Sequence, residues 1–170
     1  MLSKKLSKKL IYLLSKNVYV GKMGKFDEQL LEKVKKLIQK APNSLVKIGL
    51  SAQEERKLQK IDPDLFDKYI KAKEKVEKNR NEFRENINKI IDKINSEISK
   101  YNANAFLSEF DDNAVNHPGH YCITIKIMKR LPREQFTELT NELKQIGFKY
   151  NGYNWEYCNE IGNYPNLNVK

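Results

Sequence analysis

Tyr121-Cys122-Ile123-Thr124-Ile125-Lys126-Ile127-Met128 alternates without a break. On a pleated backbone Tyr121, Ile123, Ile125 and Ile127 share one side, and Cys122, Thr124, Lys126 and Met128 share the other. The pattern predicts a half-buried strand, so the chain is not all helix. Downstream, Pro132 opens a helix that displays Phe136, Leu139, Leu143 and Ile146, and Gly147 stops it. Residues 148–150, then Asn151-Gly152, then residues 153–157 read as a β-hairpin with a two-residue turn. The order β-α-β-β predicts a small α+β module over residues 102–170, with one helix on one face of a mainly antiparallel sheet. Residues 105–110 are a candidate short strand or helical turn. A strand before residue 120 would enlarge the sheet.

Upstream of this module the signals are helical. Asp62 caps and Pro63 occupies the first helical position of a helix that can run to Tyr101. One heptad seam holds Phe66, Lys73, Arg80, Ile87, Ile94 and Tyr101, and the other Tyr69, Val76, Phe83, Ile90 and Glu97. The seam is apolar at both ends and weak between Lys73 and Arg80. It offers a homodimer interface, but packing as a bundle on the N-terminal helices is the expected use. A helix over residues 27–40 shows Phe26, Leu30, Val34, Leu37 and Ile38 on one face, with Asp27 and Glu28 near its start and Lys40 at its end. Ser51 and Glu54 have capping-box spacing and start another helix. Residues 44–60 could be read as a helix-turn-helix, but Glu54 and Glu55 would face phosphate, so a capped connector is expected. Residues 2–16 place Leu2, Leu6, Leu10 and Leu13 on one stripe of a basic amphipathic helix. The expected division is therefore a basic helical region, 1–101, and the α+β module, 102–170.

Charge separates the two regions. The net charge is +10, and residues 1–101 hold 25 Lys and Arg against 14 Asp and Glu, whereas residues 102–170 hold 7 against 8. A positive field of this kind attracts polyanions, nucleic acid first among them. No stretch has the ~20 apolar residues of a membrane span, and the N-terminus lacks the apolar core of a secretory signal. These features point to a reducing cytoplasm in which Cys122 and Cys158 are free thiols.

Few residues suggest chemistry. The hairpin places Phe148, Tyr150, Tyr153, Trp155 and Tyr157 on one sheet face, where bases could stack if the rings are exposed. The helix must bury its own stripe against a sheet face, so most of these rings are expected in the core. Tyr150, Tyr153 and Tyr157 are the ones left partly open. His117, His120, Cys122 and Cys158 are zinc-competent atoms, but H-x2-H-x-C is not a zinc-knuckle spacing, and no metal is expected. Gly21-Lys22-Met23-Gly24-Lys25 is not a phosphate-binding P-loop, and there is no G-x-S-x-G. Neither an enzyme nor a cofactor is expected.

Two short segments resemble proteins of mobile elements. Leu143-Lys144-Gln145-Ile146-Gly147-Phe148-Lys149-Tyr150, followed by Trp155, resembles small modules of phage and plasmid DNA-metabolism proteins, with Tyr150 in place of their first Trp. Val115-Asn116-His117-Pro118-Gly119-His120-Tyr121 resembles the opening of a small nucleotide-kinase-like phage family whose downstream pattern is absent here, so no residue role carries over. The resemblances imply a phage or plasmid origin. The expected function is that of a non-enzymatic nucleic-acid-binding accessory protein. Lys4, Lys5, Lys8, Lys9, Lys16, Lys22 and Lys25 would contact phosphate in DNA or RNA, and Tyr150, Tyr153 and Tyr157 would offer stacking. The alternative is an inhibitor of a host nucleoprotein defence complex, of the anti-CRISPR or anti-restriction type. No membrane partner is expected.

Overall fold

The computed structural model describes residues 24–111 and 119–167. The expected helix over residues 2–16 and His117 lie outside the described residues. The chain divides into two compact units, residues 1–76 and 77–170. That division falls inside the long helix, whereas composition placed it at residue 101.

In the first unit, α1 (Lys25–Lys40) buries Leu30 and Val34. They join Leu58, Leu65 and Tyr69 in one core cluster. Phe26 is not part of this face. It is exposed, and the Lys57 ammonium lies 4.8 Å from its ring centroid. Asp27 is buried instead, 2.6 Å from the same ammonium. A 3-10 turn (Ala41–Asn43) carrying Pro42 closes α1. Residues 44–51 are not helical, which removes the first helix a helix-turn-helix needs.

Next, α2 (Ala52–Ile61) starts at the capping box. Ser51 Oγ accepts from the Glu54 N–H at 3.1 Å, and Glu54 Oε1 accepts from the Ser51 N–H at 3.1 Å. The Ser51 N–H first, and then the Lys33 ammonium 3.2 Å from its other oxygen, hold the Glu54 carboxyl below its ordinary range. The long helix α3 (Pro63–Ile98) begins with the Leu65 N–H donated to Asp62 Oδ1 at 3.1 Å. Tyr69 ties α3 to α2 and to the segment before it. Its hydroxyl accepts from the Leu50 N–H and donates to Glu55 Oε1, both at 3.0 Å. Desolvation is the main reason its pKa is pushed up to about 12.

The second unit contains residues 77–98 of α3, a 3-10 turn (Ser99–Tyr101) and a four-stranded antiparallel sheet, with α4 (Arg133–Ile146) between its second and third strands. The strands are β1 (Ala103–Phe110), β2 (His120–Ile127), β3 (Lys149–Tyr150) and β4 (Trp155–Glu160), in spatial order β1-β2-β4-β3. Tyr121, Ile123 and Ile125 are buried as the alternation requires, but Cys122 on the opposite face is buried as well and Ile127 is only half-buried. Phe83 of α3 meets that face, its ring 5.5 Å from Tyr121 and 6.4 Å from Phe110. Ile87, Ile91, Ile94 and Ile98 continue the buried stripe. From Phe83 onward α3 therefore packs on the sheet and not, as a bundle helix would, on the N-terminal helices; only its start, Leu65 to Val76, joins their core. Burial pushes the Tyr121 hydroxyl above its ordinary value, and it donates to the Asn163 carbonyl at 2.6 Å.

Arg80, the weak point of the seam, is 2% exposed. Its guanidinium pairs with Asp111 at 2.5 Å and lies 5.2 Å from the Phe110 ring. The other Asp111 oxygen accepts from the Gly119 N–H at 2.8 Å, so one carboxylate joins α3 to both ends of the β1–β2 connection. At the outer edge of β1, the Asn95 side chain bonds both backbone groups of Ala105. Its amide donates to the carbonyl at 3.0 Å and its oxygen accepts from the N–H at 2.7 Å.

Two local expectations need correction. The hairpin loop has four residues, not two: Tyr150 pairs with Trp155 and Lys149 with Glu156. The Asn151 side-chain oxygen accepts from the N–H groups of Tyr153 and Asn154, at 3.0 and 2.8 Å, which closes a wider turn than Asn-Gly alone. Second, Cys122 and Cys158 are not free thiols but a disulfide. They are directly opposed on neighbouring strands, with Cα atoms 4.2 Å apart. The pairing depends on a strand order that the spacing of two cysteines cannot give.

Candidate nucleic-acid interface

The β2–α4 connection and the β3–β4 loop are brought together because Ile125 pairs with Trp155, so the end of β2 lies beside the start of β4. Between them is a shallow cleft of about 600 Å³ lined by Met128, Lys129, Arg130, Arg133, Phe136, Tyr150 and Tyr153, among others. The Met128 N–H donates to the Asn102 carbonyl at 2.8 Å and fixes the exit of β2. Gly147 sets the far end of α4 with φ +109°, and a Cβ there would meet the Tyr157 ring at 3.3 Å. Phe136 forms the floor, its ring 5.8 Å from Tyr150 and 6.5 Å from Trp155.

The rim combines two kinds of side chain. Tyr153 is 87% exposed and Tyr150 is 46% exposed. The four-residue loop explains the difference, because it lifts Tyr153 off the sheet while Tyr150 stays in β3 with its hydroxyl on the Gly152 carbonyl at 2.9 Å. Lys129, Arg130 and Arg133 are exposed, and among the described residues none forms an ion pair. Arg133 is the first residue of α4, where the helix dipole disfavours a cation, and the preceding Pro132 supplies no side-chain cap. An anion bound there would meet both the dipole and the guanidinium.

The expected residues divide as follows. Tyr150 and Tyr153 line the cleft. Tyr157 stays half-buried, as expected, but its ring packs 5.5 Å from Phe148 and 6.3 Å from Tyr121 and does not line the cleft. Lys25 is exposed at the start of α1, in the first unit. Lys4, Lys5, Lys8, Lys9, Lys16 and Lys22 lie outside the described residues. The charge count missed Lys129, Arg130 and Arg133 because they belong to a module of nearly zero net charge. The signal was local, in the run Lys129-Arg130-Leu131-Pro132-Arg133. Among the described residues, Cys122, Glu156 and Cys158 are the only group spaced to hold a metal ion, and His120 is not part of it.

No helix among the described residues is long and apolar enough to cross a membrane. No protein-family model matches the chain, no curated protein matches it, and no solved structure matches it.

Proposed function

We propose that this chain is a non-enzymatic protein that binds single-stranded nucleic acid through the cleft of its second unit. The observation that carries the reading is three cations without a carboxylate partner among the described residues, Lys129, Arg130 and Arg133, beside two exposed tyrosine rings. Cations that track phosphate, together with aromatic faces that take bases of any identity, are what sequence-tolerant single-strand binding requires. Bases held in a duplex would not present their faces to Tyr153. The chemistry does not distinguish DNA from RNA, since neither phosphate binding nor stacking needs the 2′-hydroxyl. A cytoplasmic location belongs to the same proposal, and there the Cys122–Cys158 disulfide would be exposed to reducing thiols.

Fluorescence anisotropy with labelled single-stranded oligonucleotides, across a salt series, tests the reading on the full chain. Removing one cation that neutralises a phosphate should lower the slope of log K against log salt by about 0.7. The variant with Lys129→Ala, Arg130→Ala and Arg133→Ala together should therefore lower it by about 2. Tyr153→Ala should cost ~1–3 kcal/mol of affinity and leave the slope unchanged. Unaltered binding in both variants would overturn the proposal.

A further inference from the structure

We propose that Cys122, Cys158 and Glu156 form a redox-gated site for a thiophilic divalent cation of the Zn²⁺ class. The site is independent of the cleft. Cys122 and Cys158 face each other across β2 and β4, and Glu156, two residues before Cys158 on β4, projects from the same face. Glu156 Oε1 lies 3.4 Å from Cys158 Sγ. The two sulfurs and one carboxylate oxygen all lie within 4.8 Å of one another.

While the disulfide is intact neither sulfur is a thiolate, and the group cannot ligate a metal. A dithiol reductant opens it in a balanced exchange. The S–S bond takes two electrons and two protons, two thiols form, and the reductant leaves as its own disulfide. The cation then displaces the two thiol protons and is held by two thiolates and one carboxylate. Three protein ligands leave the fourth tetrahedral position to water. Thiolates select Zn²⁺ over Mg²⁺ or Ca²⁺, which prefer all-oxygen shells. Backbone pairing of β2 to both β1 and β4 surrounds the site, so the ligands keep their register when the S–S bond is gone.

The test is titration of the full-length chain with Co²⁺, followed by Zn²⁺ competition, before and after reduction by a dithiol that is then removed. The expected result is one Co²⁺ per reduced chain, a sulfur-to-cobalt charge-transfer band, displacement by Zn²⁺, and no such band in the oxidised chain. Cys158→Ser should abolish the band. Glu156→Gln retains both cysteines and should weaken binding at least as much as the roughly 10–100-fold that residues supporting a metal site cost. Zn²⁺ should also slow alkylation of both thiols in the reduced wild-type chain. A reduced chain that keeps its circular dichroism but binds no stoichiometric Co²⁺ would overturn the site, as would binding unchanged in Glu156→Gln.

Discussion

In the described part of the first unit, four lysines meet carboxylates, while Lys35, Lys60, Lys68 and Lys71, among others, form no ion pair among the described residues. Lys33 lies 3.2 Å from Glu54, Lys57 2.6 Å from Asp27, Lys73 3.4 Å from Glu55 and Lys36 3.6 Å from Glu32. In the second unit Lys100 pairs with Glu142 and Arg80 with Asp111, but Lys129, Arg130 and Arg133 gather at one cleft without such partners among the described residues. The region richer in positive charge uses part of it to hold helices together, whereas the nearly neutral one displays a concentrated patch. Net charge describes a long-range field, and a binding surface depends on which charges lack local compensation.

This contrast can be tested first at Asp111, where the second unit does use a paired cation. Asp111→Asn should destabilise that unit by about 3–5 kcal/mol, read by urea unfolding, because Arg80 stays buried with its main countercharge removed. Adding Arg80→Met should restore part of the loss, since an apolar side chain carries no charge to compensate. An equal or larger loss in the double variant would show that Arg80 supports packing more than it needs the ion pair.

The polar link of the first unit should give a smaller effect. Tyr69→Phe takes the acceptor from the Leu50 N–H and one donor from Glu55, at a cost of ~1–3 kcal/mol. The Tyr69 pKa is raised from 10.0 to about 12, so its contribution is complete below pH 10 and is lost as pH climbs from 10 toward 12. Hydrogen exchange of residues 52–76 should lose part of its alkaline sensitivity in the variant. The smallest change is expected for Ser51→Ala, about 1 kcal/mol. Glu54 is depressed in the folded chain, so the capping-box contribution is present above the ordinary glutamate pKa and fades as pH falls below it. Ser51→Ala keeps the backbone N–H that is the main cause of that shift, so its penalty should change little in acid, whereas the penalty of Glu54→Ala should shrink there.

The elements fixed by period and punctuation were legible. The strand at residues 121–128, the Pro63 start of α3, the capping box and the Gly147 stop each rest on a local rule that the neighbouring residues also satisfy. The misses concern choices that one segment cannot make alone. Asn151-Gly152 suits a two-residue turn, but Asn151 also closes a four-residue loop, and only the pairing of Tyr150 with Trp155 distinguishes them. That one change moves Tyr153 from a shared aromatic face to the rim of the cleft. Arg80 read only as a weak point of the heptad seam because its partner is 31 residues away in sequence. The cleft was hidden for the same reason: its cations and its rings come from separate segments joined by the pairing of β2 with β4.

The hold of Asn95 on Ala105 has a consequence for the company this sheet can keep. A backbone edge normally invites a neighbouring polypeptide to extend the ladder. Here a primary amide already supplies one donor and one acceptor to the same residue, in the places an incoming chain would use. Strand-by-strand polymerisation from β1 would first have to evict that side chain, so the guard against fibre formation is carried by a helix rather than by the strand it protects.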